Sequence, residues 1–356
     1  MTKYWSTLAQ NLTPYEPGEQ PQDQQYVKLN TNENPFSPSG LVIEKIKENL
    51  NGSLRLYPDP NGLKLATAIA QYYGVSQDSV FLGNGSDEVL ALSFLAFFKN
   101  KSSISFPDIT YSFYPVYCDI FEIKHDTFSL NENFEIDIHN IPVNVEGVIF
   151  PNPNAPTGIY LSTDKIERLA QKFPEALIII DEAYIDFGGT TSIPLTQHYE
   201  NLLVVQTFSK SRSLAGLRIG YAVGNPKLIQ ALNRVKNSFN SYPLDKLAIE
   251  GGVAAMQDEA YFKQCCNKII QLREWTKNEL TALSFNVLPS NANFLFAAHP
   301  EIDASILYMQ LKKRGVLVRH FNKPEISNYL RISIGTKDNM ETLLRELKAV
   351  INNSFA

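Results

Sequence analysis

Between residues 79 and 224 short apolar runs alternate with amphipathic stretches, and that alternation restricts the chain to few architectures. The runs are Ser79–Leu82, Ser103–Phe106, Gly147–Phe150, Ala176–Ile180, Leu202–Gln206 and Arg218–Val223. Ala176-Leu177-Ile178-Ile179-Ile180 has no polar position, which suits a strand covered on both faces. Helical candidates such as Asp87–Phe98 and Ser162–Lys172 fall between the runs. Strands alternating with helices predict an α/β fold with an open, mainly parallel central sheet. The last third reads differently. Helix patterns over Leu247–Leu283 lead into strand-like pieces at Asn286–Ala297, Gly315–Phe321 and Tyr329–Ile334, then a final helix with Asp338 as its expected N-cap before Glu341. We therefore expect an extended N-terminal arm (1–36) packing with the small domain, a large domain (37–245) and a smaller α+β C-terminal domain (246–356).

Composition excludes several classes. The 37 acids and 32 bases leave a net charge of -5, without the dense basic run that binding nucleic acid would require. Cys118, Cys265 and Cys266 make a poor disulfide framework, and no Cys/His spacing reads as a zinc site, so no metal is expected. The first 25 residues are polar and lack a signal-peptide core. The longest apolar stretch, Val89–Phe98, is too short to span a bilayer. A cytoplasmic protein with no membrane association is expected.

In an open α/β sheet ligands bind beyond the carboxyl ends of the strands, and four polar segments fall there. After Leu202–Gln206 comes Thr207-Phe208-Ser209-Lys210-Ser211-Arg212-Ser213-Leu214-Ala215-Gly216-Leu217-Arg218. A lone lysine in a loop is usually a solvated surface residue. Here Ser209 and Arg218 offer a hydroxyl and a guanidinium that suit one phosphate group. A lysine amine beside such a pocket can bond covalently to an aldehyde cofactor. Directly after Ala176–Ile180 stands Asp181-Glu182-Ala183-Tyr184. A strand-end aspartate is often only a cap, but a buried one can keep a pyridine nitrogen protonated.

Gly83-Asn84-Gly85-Ser86-Asp87-Glu88 lies between a strand and an apolar helix. As a plain turn it needs no ligand; as a helix start its backbone N–H groups form a phosphate site. Because carboxylates repel phosphate, the contact is assigned to the backbone of Gly85, Ser86 and Asp87, with the acidic side chains expected to point away. Pro151-Asn152-Pro153-Asn154-Ala155-Pro156-Thr157-Gly158 says, by itself, only turn.

Taken in this order, the four segments resemble those of fold-type I, class II aminotransferases that use pyridoxal 5′-phosphate (PLP). The resemblance implies that Lys210 carries the cofactor and acts as catalytic base and acid. It further implies that Asp181 faces the ring nitrogen, Tyr184 donates to the 3′ oxygen, and Tyr111 stacks on the ring. The Asn-Pro-Thr-Gly loop of the family supplies a further 3′ oxygen contact; Ala155 stands before Pro156 here, so either Asn154 reaches in instead or the contact is lost. The pieces Pro14-Tyr15-Glu16-Pro17-Gly18, Asn32-Glu33-Asn34-Pro35 and Leu56-Tyr57-Pro58-Asp59-Pro60 narrow the resemblance to histidinol-phosphate aminotransferases. That implies Tyr57 reaching the cofactor phosphate of a partner subunit in a homodimer, with Tyr15, Asn34, Arg319 and Arg331 binding substrate. The reaction implied converts L-histidinol phosphate and 2-oxoglutarate to imidazole-acetol phosphate and L-glutamate by ping-pong exchange. An aromatic amino-acid aminotransferase or a phosphoamino-acid decarboxylase on the same scaffold remains the alternative.

Overall fold

The computed structural model describes residues 3–101 and 103–354. In chain order its strands are β1 (Val27–Lys28), β2 (Val80–Asn84), β3 (Ile104–Pro107), β4 (His125–Phe128), β5 (Gly147–Pro151), β6 (Leu177–Asp181), β7 (Leu202–Thr207), β8 (Ile219–Gly224), β9 (Asn286–Val287), β10 (Phe294–Ala298), β11 (Val316–Leu317), β12 (Arg319–His320) and β13 (Leu330–Ser333). All six apolar runs between residues 79 and 224 are strands of one sheet, ordered β2-β8-β7-β6-β5-β3-β4. Pairing is parallel from β7 across to β4, while β8 runs antiparallel to both of its neighbours.

Period-two alternation explains the unbroken apolar run. Ile178 and Ile180 enter one core beside Leu202 and Val204, whereas Ile179 enters the opposite core beside Leu203 and Val205. Each such fully buried side chain contributes about 1.5–3 kcal/mol, so a polar residue on either face would be costly.

The helix expected over Asp87–Phe98 is an α-helix from Gly85 to Ser93 that widens into a π turn over Phe94–Phe98, with both of those phenylalanines buried. The pattern over Leu247–Leu283 is two helices, Lys246–Gln257 and Glu259–Ala282. Asp258 separates them and caps the second by accepting the Tyr261 N–H at 3.3 Å. In the first of the two, Ala248, Ile249, Ala254, Ala255 and Met256 pack into a core of the seven-stranded sheet. The helix thus packs with the seven-stranded sheet, although it lies beyond residue 245.

The remaining strands form a four-stranded antiparallel sheet, β12-β13-β10-β9. β1 pairs in parallel with β11 and so fastens the N-terminal segment to this C-terminal part. The last helix is Lys337–Ser354, and its cap differs from expectation: Asp338 lies inside the first turn. Thr336 is the N-cap, because its hydroxyl accepts the Asn339 N–H and its own N–H donates to Asn339 Oδ1.

Candidate active site

β2, β5, β6 and β7 end at one edge of the large sheet, and β8 starts there. A cavity of about 320 Å³ opens at that edge. Asp181, Tyr184, Ser209, Lys210 and Arg218 line it from the large sheet, with Ser86, Asp87 and Tyr111. Tyr15, Arg319 and Arg331 close it from the opposite side.

Lys210 directs its ammonium at the Thr31 carbonyl, 3.2 Å away, and lies 5.8 Å from the centroid of the Tyr184 ring. Its neighbour Ser209 is buried, with its N–H donating to Thr207 Oγ1 at 3.1 Å. Asp181 is buried at the tip of β6, where Tyr114 donates to Oδ2 at 3.2 Å. Burial is the main cause pushing the Asp181 carboxyl up to about 7, against the opposing hydrogen bond from Tyr114.

Arg218 and the helix start at Gly85 meet through two glycines. Gly85 has φ +78, and a side chain on it would collide with the Arg218 guanidinium. Gly220 on β8 has no room for a methyl, which would overlap the Gly85 carbonyl carbon and the Ser86 nitrogen. The expectation that both acidic side chains point away is corrected at Asp87. Glu88 does turn back, accepting the Asn84 N–H at 2.6 Å. Asp87 instead faces the cavity, pairing with Arg218 Nη2 at 2.9 Å and accepting from the Tyr111 hydroxyl at 3.0 Å. The Arg218 guanidinium, reaching over from the start of β8, neutralises the carboxylate, so it need not be expelled. The backbone reading of Gly85, Ser86 and Asp87 is unaffected.

Asn154, Asn34 and Tyr57, also expected at the site, are not among the residues lining the cavity. The Asn154 amide donates to the Ile109 carbonyl and to Thr157 Oγ1, each at 3.1 Å, and Ala155 lines the wall in its place. The Asn34 amide donates to the backbone carbonyls of Lys210 (2.9 Å) and Ser211 (3.2 Å), so it braces the lysine loop from behind. Tyr57 is 82% exposed, stacked on Tyr242 with ring centroids 4.6 Å apart and away from this cavity.

Arg319 and Arg331 stand directly opposite each other across β12 and β13. Arg319 donates to the carbonyls of Pro17 and Glu16, Arg331 to that of Asn30. Burial lowers the pKa of the Arg331 guanidinium, which nonetheless stays protonated. Like charges opposed on adjacent strands repel; this pair suits a shared anion. Tyr15 joins them, its ring stacked on Phe113 at 4.3 Å, and its hydroxyl pKa is raised by burial.

The family model for aminotransferase class I and II matches residues 24–347. The chain belongs to this family. Histidinol-phosphate aminotransferase 1 of Pseudomonas fluorescens is 54% identical over 344 residues, 97% of this chain and 98% of that protein. Histidinol-phosphate aminotransferase 1 of Oceanobacillus iheyensis is 52% identical over 354 residues, covering 99% and 100% of the two chains. Among solved structures, histidinol-phosphate aminotransferase from Clostridium acetobutylicum superimposes with a TM-score of 0.85 at 26% identity, covering 92% of this chain and 99% of that one. The fold also matches the Sinorhizobium meliloti enzyme in complex with pyridoxal-5′-phosphate, at a TM-score of 0.90 and 22% identity over 100% and 99% of the chains.

Buried polar atoms of this aminotransferase fit an aromatic cofactor carrying a phosphate. Asp181 Oδ1, Ser209 Oγ and Arg331 Nε are buried without hydrogen-bond partners, although such atoms are normally satisfied. An acceptor at the end of β6 suits a protonated ring nitrogen, a hydroxyl beside Arg218 suits phosphate, and an arginine N–H suits an anion. Asn32, within the Asn32-Glu33-Asn34-Pro35 piece, and Gly220, within a strand-like run, carry no role that the sequence alone assigns. The bonds of Asn32 to Ser333 and Tyr184 and the close approach at Gly220 join residues far apart in the chain.

Proposed function

We propose that this aminotransferase converts L-histidinol phosphate and 2-oxoglutarate to imidazole-acetol phosphate and L-glutamate, a cytoplasmic step of histidine biosynthesis. The observation that carries the substrate reading is the opposed pair Arg319 and Arg331 facing Lys210 across one cavity. One substrate brings a phosphate and the other carboxylates, and both anions suit paired guanidiniums.

In this reading Ser209, Arg218 and the N–H groups of Gly85, Ser86 and Asp87 hold the PLP phosphate. Asp181 faces the ring nitrogen, Tyr111 stacks on the ring and Tyr184 donates to the 3′ oxygen. Bound there, PLP supplies an electron sink that makes the C–H beside the substrate amine acidic. Lys210 Nζ takes that proton and returns it on the cofactor side, serving as base and then as acid. Arg319, Arg331 and Tyr15 orient the substrate so that the proton faces Lys210, and the arm carrying Tyr15 limits water access. Replacing Lys210 with Ala is expected to abolish turnover, by steady-state assay with both substrates; near-normal turnover would contradict its role.

The dimer reading rests on the surface around Tyr57. Leu50, Leu54, Leu56, Phe239 and Tyr242 are exposed, and Phe239 is 77% so. Large exposed apolar side chains gathered near one another mark contact surfaces, and a second copy of this chain covering them would carry Tyr57 to the partner's phosphate site. Sedimentation is expected to give a particle of two chains; a monomer at micromolar concentration would contradict this.

A further inference from the structure

Asn30, Thr31 and Asn32 line the cavity that holds Tyr184, beside Ala155 of the loop after β5. Asn32 is 1% exposed and holds a left-handed backbone, φ 55, which asparagine tolerates better than most residues. Every polar group of Asn32 is engaged. Its N–H donates to Ser333 Oγ at 2.9 Å, and its carbonyl accepts from the Asn293 amide at 3.0 Å. Ser333 Oγ in turn donates to Asn32 Oδ1 at 2.8 Å, and Asn32 Nδ2 donates to the Tyr184 hydroxyl at 3.1 Å.

The proton count gives this chain a direction. Ser333 Oγ accepts the Asn32 N–H, so the hydroxyl's own proton is free for Asn32 Oδ1. That sets the carboxamide with its NH₂ toward Tyr184. An amide NH₂ only donates, so the Tyr184 oxygen accepts there and its proton is aimed elsewhere. Tyr184 and Lys210 line the same cavity. At the neighbouring wall Ala155 offers a methyl, while the Asn154 NH₂ donates to Ile109 and Thr157 and its Oδ1, buried without a partner, can only accept. We propose that Asn32 is a positioning residue that turns the Tyr184 hydroxyl proton toward the 3′ oxygen of the cofactor. Tyr184 thereby supplies the hydrogen bond that the loop after β5 does not make in this chain. The inference rests on the PLP reading of the site and adds to it a link from the C-terminal sheet, through Ser333, to the cofactor.

A hydrogen bond to an oxygen stabilises that oxygen's anionic form. Removing it should raise the pH at which the bound cofactor's visible absorbance titrates. The test is a spectrophotometric pH titration of the holoenzyme, comparing wild type with Asn32→Gly, Asn32→Asp and Tyr184→Phe. Glycine keeps the left-handed backbone and deletes the amide; aspartate keeps the shape but draws the Tyr184 proton to itself. Both are expected to move the midpoint upward by roughly one pH unit, a tenfold change in proton affinity, in the direction of Tyr184→Phe. The Asn32→Gly change should add nothing in a Tyr184→Phe background. Ser333→Ala removes the proton that orients the amide without touching Asn32, and it should shift the midpoint the same way if the Asn32 variants do not fold. Midpoints unchanged in these variants beside a shifted Tyr184→Phe would overturn the proposal alone. A wild-type protein with no visible band after addition of PLP would overturn the cofactor reading and the proposal together.

Discussion

Asp181 shows how a single buried group can serve a ligand at the expense of the free chain. An aspartate in an unfolded chain titrates near ~3.9, whereas burial holds this one at about 7. Between those values the folded protein binds more protons than the unfolded chain, so stability without cofactor falls as pH rises through the window and is lowest above it. A cation placed against Oδ1 removes that penalty, and in the proposed cofactor arrangement the protonated ring nitrogen is such a cation. Asp181→Asn is therefore expected to raise the Tm of the cofactor-free protein at pH 8 and to leave it nearly unchanged at pH 4. The same variant should retain PLP at least tenfold more weakly. Calorimetry at the two pH values and a cofactor titration check this; a lower Tm at pH 8 would contradict it. Glu182, also raised to about 7 by burial, differs in having protein partners on both carboxylate oxygens, in Thr191, Ser192 and Gln206.

At the scale of elements, the approach of β8 to the helix Gly85–Ser93 positions the groups proposed to hold the phosphate. Gly220 allows the backbone of β8 to touch that of Gly85 and Ser86, and Arg218 reaches across Gly85 to Asp87 from the start of the same strand. Gly220→Ala must push strand and helix apart. Overpacking of this kind costs about 1–3 kcal/mol, and the displaced N–H groups should weaken PLP binding as well. Urea denaturation and a cofactor titration on the variant measure the two effects; unchanged values of both would contradict the close-approach argument. In the sequence Gly220 is one more small residue in a strand-like run. Its role depends on the pairing of Gly83 with Gly220, which no local pattern reveals.

Across the whole molecule, what the sequence displays and what it hides divide by range. Strands and the residues at their ends are local: alternation marks Leu177–Asp181 and Leu202–Thr207, so Asp181 and Lys210 could be placed at the carboxyl edge before any contact was known. The contacts that choose between polar neighbours are long-range. Asn34 braces the backbone of Lys210, Asp87 meets Arg218, and Ser333 meets Asn32, each across more than 100 residues. The wrong cap at Asp338 had a local origin, because Thr336 and Asn339 form an equivalent reciprocal pair two residues earlier. The cavity itself joins the arm, the large sheet and the C-terminal sheet, and no one of them supplies both Lys210 and the two arginines. The most direct test of the function is a half-reaction on the purified holoenzyme without amino acceptor. L-Histidinol phosphate and, separately, L-phenylalanine are added while the visible absorbance of the bound cofactor is followed. Rapid loss of that absorbance with histidinol phosphate, and slow or no loss with phenylalanine, is expected. Loss mainly with phenylalanine would contradict the assignment and point to an aromatic amino-acid aminotransferase.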